Sequence, residues 1–276
     1  MRPSTKIIIG ILLSILLVSS AFIIGFSFSE RANYSWTSEV SKYAISQENI
    51  IPTAINAYRT ILLETKFDDF NNEYNVYPHG VLSVTSPTDT QKHNQVCMPE
   101  ELSKYTEITS SNDTLIIRIN MKDLNNKYLT DKDKPIRHIY TSVDGCNFYI
   151  YTNNGVDIIN SLAGISVEVK NMETDFIKIH SQSNILIDQC KAKRIDPSGK
   201  VACNITGSKA RELNIDIDNI LSWSVRNSDI EVENLTGSRR NMRYTRSAKM
   251  MNWYPKTKDA KLEVILNGDT AKVVFP

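Results

Sequence analysis

The sequence predicts a mainly β protein: a right-handed parallel β-solenoid or β-helix-like domain with a terminal hairpin, preceded by one N-terminal transmembrane helix and a short α-helix. Short segments of alternating apolar residues recur through the C-terminal half. Most successive segments start about 9 to 12 residues apart, the spacing of a β-sandwich, barrel or solenoid. No amphipathic helix interrupts the run, and a separate uncharged apolar block stands at the N-terminus.

That block runs from Ile7 to Phe28, with Arg2 and Lys6 as the cations before it. At about 1.5 Å per residue, a helix over it is about 33 Å long, against a hydrocarbon core of about 30 Å. Cations on the short N-terminal flank place residues 1–6 in the cytoplasm, and Tyr34 and Trp36 suit an interfacial belt. Everything after Ser29 is then extracytoplasmic, periplasmic or at the cell surface. A second reading shares the export: Ser19, Ser20 and Ala21 close an apolar run as a secretory signal does, so cleavage near Ala21 would release the domain.

Residues 29–69 read as a helical neck. Pro52 suits a first helical turn, and Ile51, Ala54, Ile55, Tyr58, Ile61 and Leu62 fall at spacings of three and four. Residues 70–145 read as a loop-containing β lead-in, with strands at Val81–Val84 and Leu115–Ile119, the second preceded by the turn residues Asn112 and Asp113.

The solenoid-like domain spans residues 146–276. Phe148–Thr152 opens it, and the ladder continues through Ile165, Val167, Val169; Ile177, Ile179; Ile185, Ile187; Val201, Cys203, Ile205; Leu213, Ile215, Ile217; Leu221, Trp223, Val225; and Ile230, Val232. The links between them are short and polar, such as Pro197-Ser198-Gly199, adequate for corners but short for sandwich crossovers. Rungs of roughly 20 residues with two strands each fit the period, while a sandwich of successive hairpins shares the same spacing. Asn267-Gly268 between two apolar runs predicts the terminal hairpin.

From about Leu115 to Phe275 this order of features resembles the exported auto-transporter adhesin, head GIN domain family and related adhesin-like families. The likeness lies in Asp113-Thr114-Leu115-Ile116-Ile117-Arg118-Ile119, then Phe148-Tyr149-Ile150-Tyr151-Thr152, then the ladder entered at Ile165. Corners here are richer in Lys and Asn than in typical members, and the stretch from Arg239 to Tyr254 departs from the repeat. The resemblance implies a β-helical exported domain without known catalytic residues.

With 32 Lys plus Arg against 31 Asp plus Glu, the net charge is +1, which argues against a polybasic nucleic-acid binder. Cys97, Cys146, Cys190 and Cys203 sit in an exported domain where disulfides persist, and a Cys190–Cys203 bridge across adjacent rungs competes with free buried thiols. Cys203 shares the parity of Val201 and Ile205 and should point inward. Scattered histidines and the lack of a paired CxxC speak against zinc, and no cofactor is implied. Asp216, Asp218, Asp229, Glu231 and Glu233 alternate with apolar residues and are expected on an outer surface. Arg239, Arg240 and Arg243, near Tyr244 and Trp253, suggest a polyanion surface or a solvated loop.

These features point to a noncatalytic membrane-anchored cell-envelope protein, joined to the membrane through the segment bounded by Ile7 and Phe28. Its exported domain would bind or scaffold an envelope glycan or protein, not nucleic acid. A carbohydrate-active enzyme of polysaccharide lyase or hydrolase type, or an extracytoplasmic sensor, are the alternatives. The enzyme requires Asp216, Asp218 and Asp229 to converge in a cleft. The sensor has too few residues before the membrane block for a folded output domain.

Overall fold

Runs such as Ile-Leu-Ile and Val-Glu-Val carry branched side chains at every second position, which suits a pleated surface buried on one side. The structure, a computed structural model, describes residues 41–66, 75–87, 94–128, 140–153, 155–238, 242–245, 249–260, 262–265 and 272–274. All of these fall within one unit, Val40–Pro276.

The first strands are β1 (Ser41–Ala44), β2 (Ile50–Ala54), β3 (Thr60–Lys66), β4 (Asn75–His79), β5 (Val81–Thr85) and β6 (Gln95–Pro99). Helix α1 (Glu100–Ser103) precedes β7 (Thr106–Ser111) and β8 (Thr114–Asn120), and α2 (Met121–Tyr128) precedes β9 (Tyr140–Asp144) and β10 (Phe148–Tyr151). Then follow β11 (Ile158–Ser161), β12 (Ser166–Lys170), β13 (Glu173–Ser181), β14 (Ile185–Asp188), β15 (Lys191–Ser198), β16 (Val201–Thr206) and β17 (Lys209–Asp216). The last are β18 (Ile220–Arg226), β19 (Asp229–Gly237), β20 (Met242–Thr245), β21 (Met250–Pro255), β22 (Leu262–Ile265) and β23 (Lys272–Val274).

Ten strands form one sheet in the order β23-β21-β19-β17-β15-β13-β11-β3-β8-β7, and eight form another in the order β18-β16-β14-β12-β5-β10-β6-β2. Two smaller sheets have the orders β1-β9-β4 and β20-β22. From β11 to β19 consecutive strands alternate between the two large sheets, and each pairs in parallel with the next strand of its own sheet. Stacked positions are 18 or 20 residues apart, as with Asp196 and Asn214, then Asn214 and Asn234.

In-register stacking puts like side chains over like. Val167, Ile185 and Cys203 form one inward column of the eight-stranded sheet, and Val169, Ile187 and Ile205 another. Ile177, Ile195 and Leu213 form a buried column of the ten-stranded sheet, and one apolar cluster joins the inward residues of both. The corner between β15 and β16 runs so close to β13 that a Cβ on Gly199, at φ +114°, would stand 1.9 Å from the Ser181 carbonyl oxygen. Only glycine fits there.

The structure corrects several expectations. The strands do not make a closed right-handed solenoid: they make separate open sheets in which β2–β6, β6–β10 and β7–β8 pair antiparallel. Strands from before residue 146 complete both sheets, because β3 pairs with β11 and β5 with β12. Spacing along the chain carries no trace of such distant pairings.

Among the described residues the expected neck helix is absent, since Ile50–Ala54 and Thr60–Lys66 are strands. Its apolar run is short enough to match either period, and Ile61 and Leu63 both point into the core at a period of two. The expected terminal hairpin is replaced by parallel pairs, β20 with β22 and β21 with β23, while Asn267 and Gly268 lie outside the described residues. Ile7–Phe28 also lies outside them, and no described helix is long and apolar enough to cross a membrane.

The inward columns predict where stability resides. Ile205→Ala, at a wholly buried position, should lower unfolding free energy by about 2–5 kcal/mol. Leu221→Ala, at a residue 52% exposed, should change it by less than about 0.5 kcal/mol. Denaturant titration of the two variants checks this.

Candidate binding face

Four consecutive strands of the ten-stranded sheet begin alike. β13 opens Glu173-Thr174-Asp175, β15 Lys191-Ala192-Lys193, β17 Lys209-Ala210-Arg211 and β19 Asp229-Ile230-Glu231. Register places Glu173, Lys191, Lys209 and Asp229 side by side. Pairing is interrupted at Asp175, Lys193, Arg211 and Glu231, so all four strands break their ladders at one level. Such a break re-aims side chains and shifts the inward phase of each strand.

The stacked break bends the face into a shallow open groove of about 470 Å³ lined by these residues. Its charges are sorted by strand: a central strip of Lys191, Lys193, Lys209 and Arg211 lies between acidic strips on β13 and β19. Lys191 Nζ is 3.3 Å from Glu173 and Lys193 Nζ is 2.8 Å from Asp175. On the other side Lys249 Nζ, 2.7 Å from Asp229, holds that carboxyl below its ordinary range. Among the described residues Lys209 and Arg211 make no ion pair. The pairs that exist are exposed and add little stability, so the strip remains available to an external partner.

Beyond the break the face is tied laterally. Asn214 Nδ2 donates to Asp196 Oδ1 at 2.6 Å, Asn234 Nδ2 to Asn214 Oδ1 at 2.8 Å, and Asn252 Nδ2 to Asn234 Oδ1 at 2.8 Å. This ladder holds four strands in register beside the groove. A smaller hollow of about 340 Å³ beside it is lined by half-exposed Phe176 with Lys178, Arg194 and Asp157.

The acidic residues expected on the outer surface divide. Asp229 and Glu231 are in the groove, whereas Asp216 and Asp218 gather around Lys256 Nζ, at 2.9 Å and 3.4 Å. Burial alone would raise the Asp216 pKa, but bonds from Lys256, the Asp218 N–H and Asn219 hold it below its ordinary value. Asp216 ends β17 and Asp229 stands opposite the first residue of that strand, so about 23 Å separates them at the rise of a β-strand. A glycosidase carboxyl pair stands within about 10 Å. These acids therefore do not converge.

Glu233 is a correction: it is 0% exposed, because the ladder break turns the inward phase from Ile230 to Glu233 and Leu235. Trp223 Nε1 donates to its Oε1 at 2.7 Å, satisfying part of a costly buried carboxyl.

Of the expected polyanion surface, Arg239 and Arg240 lie outside the described residues, and Arg243 is a β20 position opposite Glu263. Cys190 and Cys203 are not joined, so the expected bridge is not formed. Cys203 is wholly buried with its column, as parity required, while Cys190 Sγ lies 3.4 Å from the Val169 carbonyl oxygen. Among the described residues no group of His, Cys, Asp or Glu is placed to hold a metal ion. The cation strip itself was missed by reading apolar parity alone. Its signal was the repeated tripeptide Lys-Ala-Lys and Lys-Ala-Arg at Lys191 and Lys209.

No family model and no curated protein matches the chain, so membership of the head GIN domain family is not supported. Among solved structures, a protein provisionally named an adhesin from Bacteroides fragilis is similar at 12% identity and TM-score 0.46, over 84% of this chain and 99% of that one. A second provisional adhesin, from Parabacteroides merdae, has 11% identity and TM-score 0.35, over 86% and 100%. A provisional lipid-binding protein from Parabacteroides distasonis has 10% identity and TM-score 0.37, over 85% and 100%. At these scores the likenesses assign no activity or partner to this chain.

Burial pushes the Cys190 thiol up to about 11 and those of Cys146 and Cys203 up to about 12. These thiols stay protonated in the fold, so their contribution to stability is complete below about pH 9 and is lost as pH rises toward 11–12. At pH 8, iodoacetamide should modify partly exposed Cys97 well ahead of the other three, which should react only in denaturant. Peptide mass mapping reads this, and rapid labelling of Cys203 in the folded protein would contradict it.

Proposed function

We propose that this chain is a noncatalytic cell-envelope protein whose ten-stranded sheet binds an anionic partner, an acidic glycan in the first instance, along the cation strip on β15 and β17. The observation that carries the reading is the stacking of Lys191, Lys193, Lys209 and Arg211 in one open groove, with Lys209 and Arg211 making no ion pair among the described residues. An extended polymer with regularly spaced negative charges matches a strip whose cations recur at the strand spacing of about 4.8 Å. The flanking acids on β13 and β19 confine such a polymer to the strip by repulsion.

Export rests on the sequence. Arg2 and Lys6 ahead of the uncharged Ile7–Phe28 block address the chain to the membrane, with the domain outside the cytoplasm, either anchored there or released near Ala21. Separation of Asp216 from Asp229 removes the motive for reading that acidic set as a carbohydrate-cleaving centre.

Titration of the full chain in detergent with polygalacturonate tests the reading. Wild-type binding should weaken with salt, and K209E/R211E should weaken it on the order of tenfold or more. K256E, at the distant Asp216 cluster, should leave it unchanged. Equal binding by wild type and K209E/R211E would overturn the proposal.

A further inference from the structure

The ten-stranded sheet ends on β7, and the course of its backbone hydrogen bonds shows what that edge can accept. Asn120 N donates to the Tyr105 carbonyl oxygen at 2.7 Å, and Thr106 stands opposite Ile119. The Tyr105 carbonyl and the backbone groups of Glu107, Thr109 and Ser111 therefore turn toward β8. By the alternation of an antiparallel ladder, Thr106, Ile108 and Ser110 turn their N–H and C=O groups outward.

Of the other outer edges of the two large sheets, β18 carries a register shift against β16 and the remaining two are protected in other ways. β2 has Pro52, and β23 is only three residues long. β7 has neither proline nor lysine, and its pairing with β8 runs without a register shift across all six residues, ending in the tight turn at Asn112 and Asp113, both at positive φ. A regular unprotected edge of this kind is a template for another strand.

We propose that β7 pairs antiparallel with β7 of a second copy of this chain, joining two ten-stranded sheets across a two-fold axis. Outward backbone groups fix the register: Ile108 faces Ile108 of the second copy, and Thr106 faces its Ser110. Pairs formed in this way exchange both backbone bonds, so every outward N–H and C=O of the strand is used. The same register sets Glu107 opposite Thr109 rather than opposite another carboxylate. Ile108 is half-buried against the apolar cluster, and its own copy extends that contact. A second copy thus satisfies hydrogen bonding and packing in one register that sets no like charges opposite each other.

The test uses the full chain in detergent. In an I108C variant the two sulfurs face each other across the axis with Cα atoms about 5.5 Å apart, within disulfide range, so mild oxidant should yield a covalent dimer. S111C, displaced along the strand, should yield none. T109E in the I108C background puts two carboxylates opposite each other twice and should slow trapping on the order of tenfold, whereas T109K should speed it. Sedimentation of T109E and T109K without the cysteine should show the same order of self-association. Absence of an I108C dimer, equal trapping of I108C and S111C, or indifference to the charge at position 109 would overturn the proposal. So would capture of a different protein's strand by β7 in place of the second copy.

Discussion

In-register parallel stacking is the constraint on which this structure depends. When each strand lies on the one 18 or 20 residues before it, a side chain's neighbours are set by the repeat and not by local sequence. Branched apolar residues then stack into Val167–Ile185–Cys203 and Ile177–Ile195–Leu213, and asparagines stack into a shared amide ladder. The same rule that builds the core sorts the surface charges, because a lysine repeated at the stacking interval becomes a strip of cations.

A single local departure, repeated on each strand, gives this surface its relief. The ladder break at Asp175, Lys193, Arg211 and Glu231 occurs at one level of four strands, so the bends add up to a groove instead of cancelling. Its cost appears within the core, where the phase shift carries Glu233 inward and Trp223 supplies a donor to it. Groove and buried carboxyl are two consequences of the same irregularity, one on each side of the sheet.

Much of the strand content was legible because burial on one face imposes alternation: Val167, Val169, Ile185, Ile187, Cys203 and Ile205 point inward as parity requires. Parity failed where a strand breaks phase. Ile220 is buried and Leu221 exposed, the reverse of the simple alternation, near a register shift between β16 and β18. It failed again at Glu233. The pairing of β3 with β11 and of β5 with β12 joins segments far apart in the chain, and no local period encodes it. The run from Ile51 to Leu62 satisfied helical spacing as well as strand alternation, and distant partners decided between them. For the candidate site, the acidic residues were visible but their separation was not, while the cations escaped a reading centred on apolar positions.

Trapping of register partners tests the parallel stacking most directly. Arg194 on β15 lies opposite Glu212 on β17, at a distance an engineered disulfide spans. With parallel stacking, R194C/E212C closes within one chain under mild oxidant and R194C/N204C does not. Successive antiparallel hairpins would bring Arg194 near Asn204 through the turn at Gly199, so closure of R194C/N204C with failure of R194C/E212C would contradict the account.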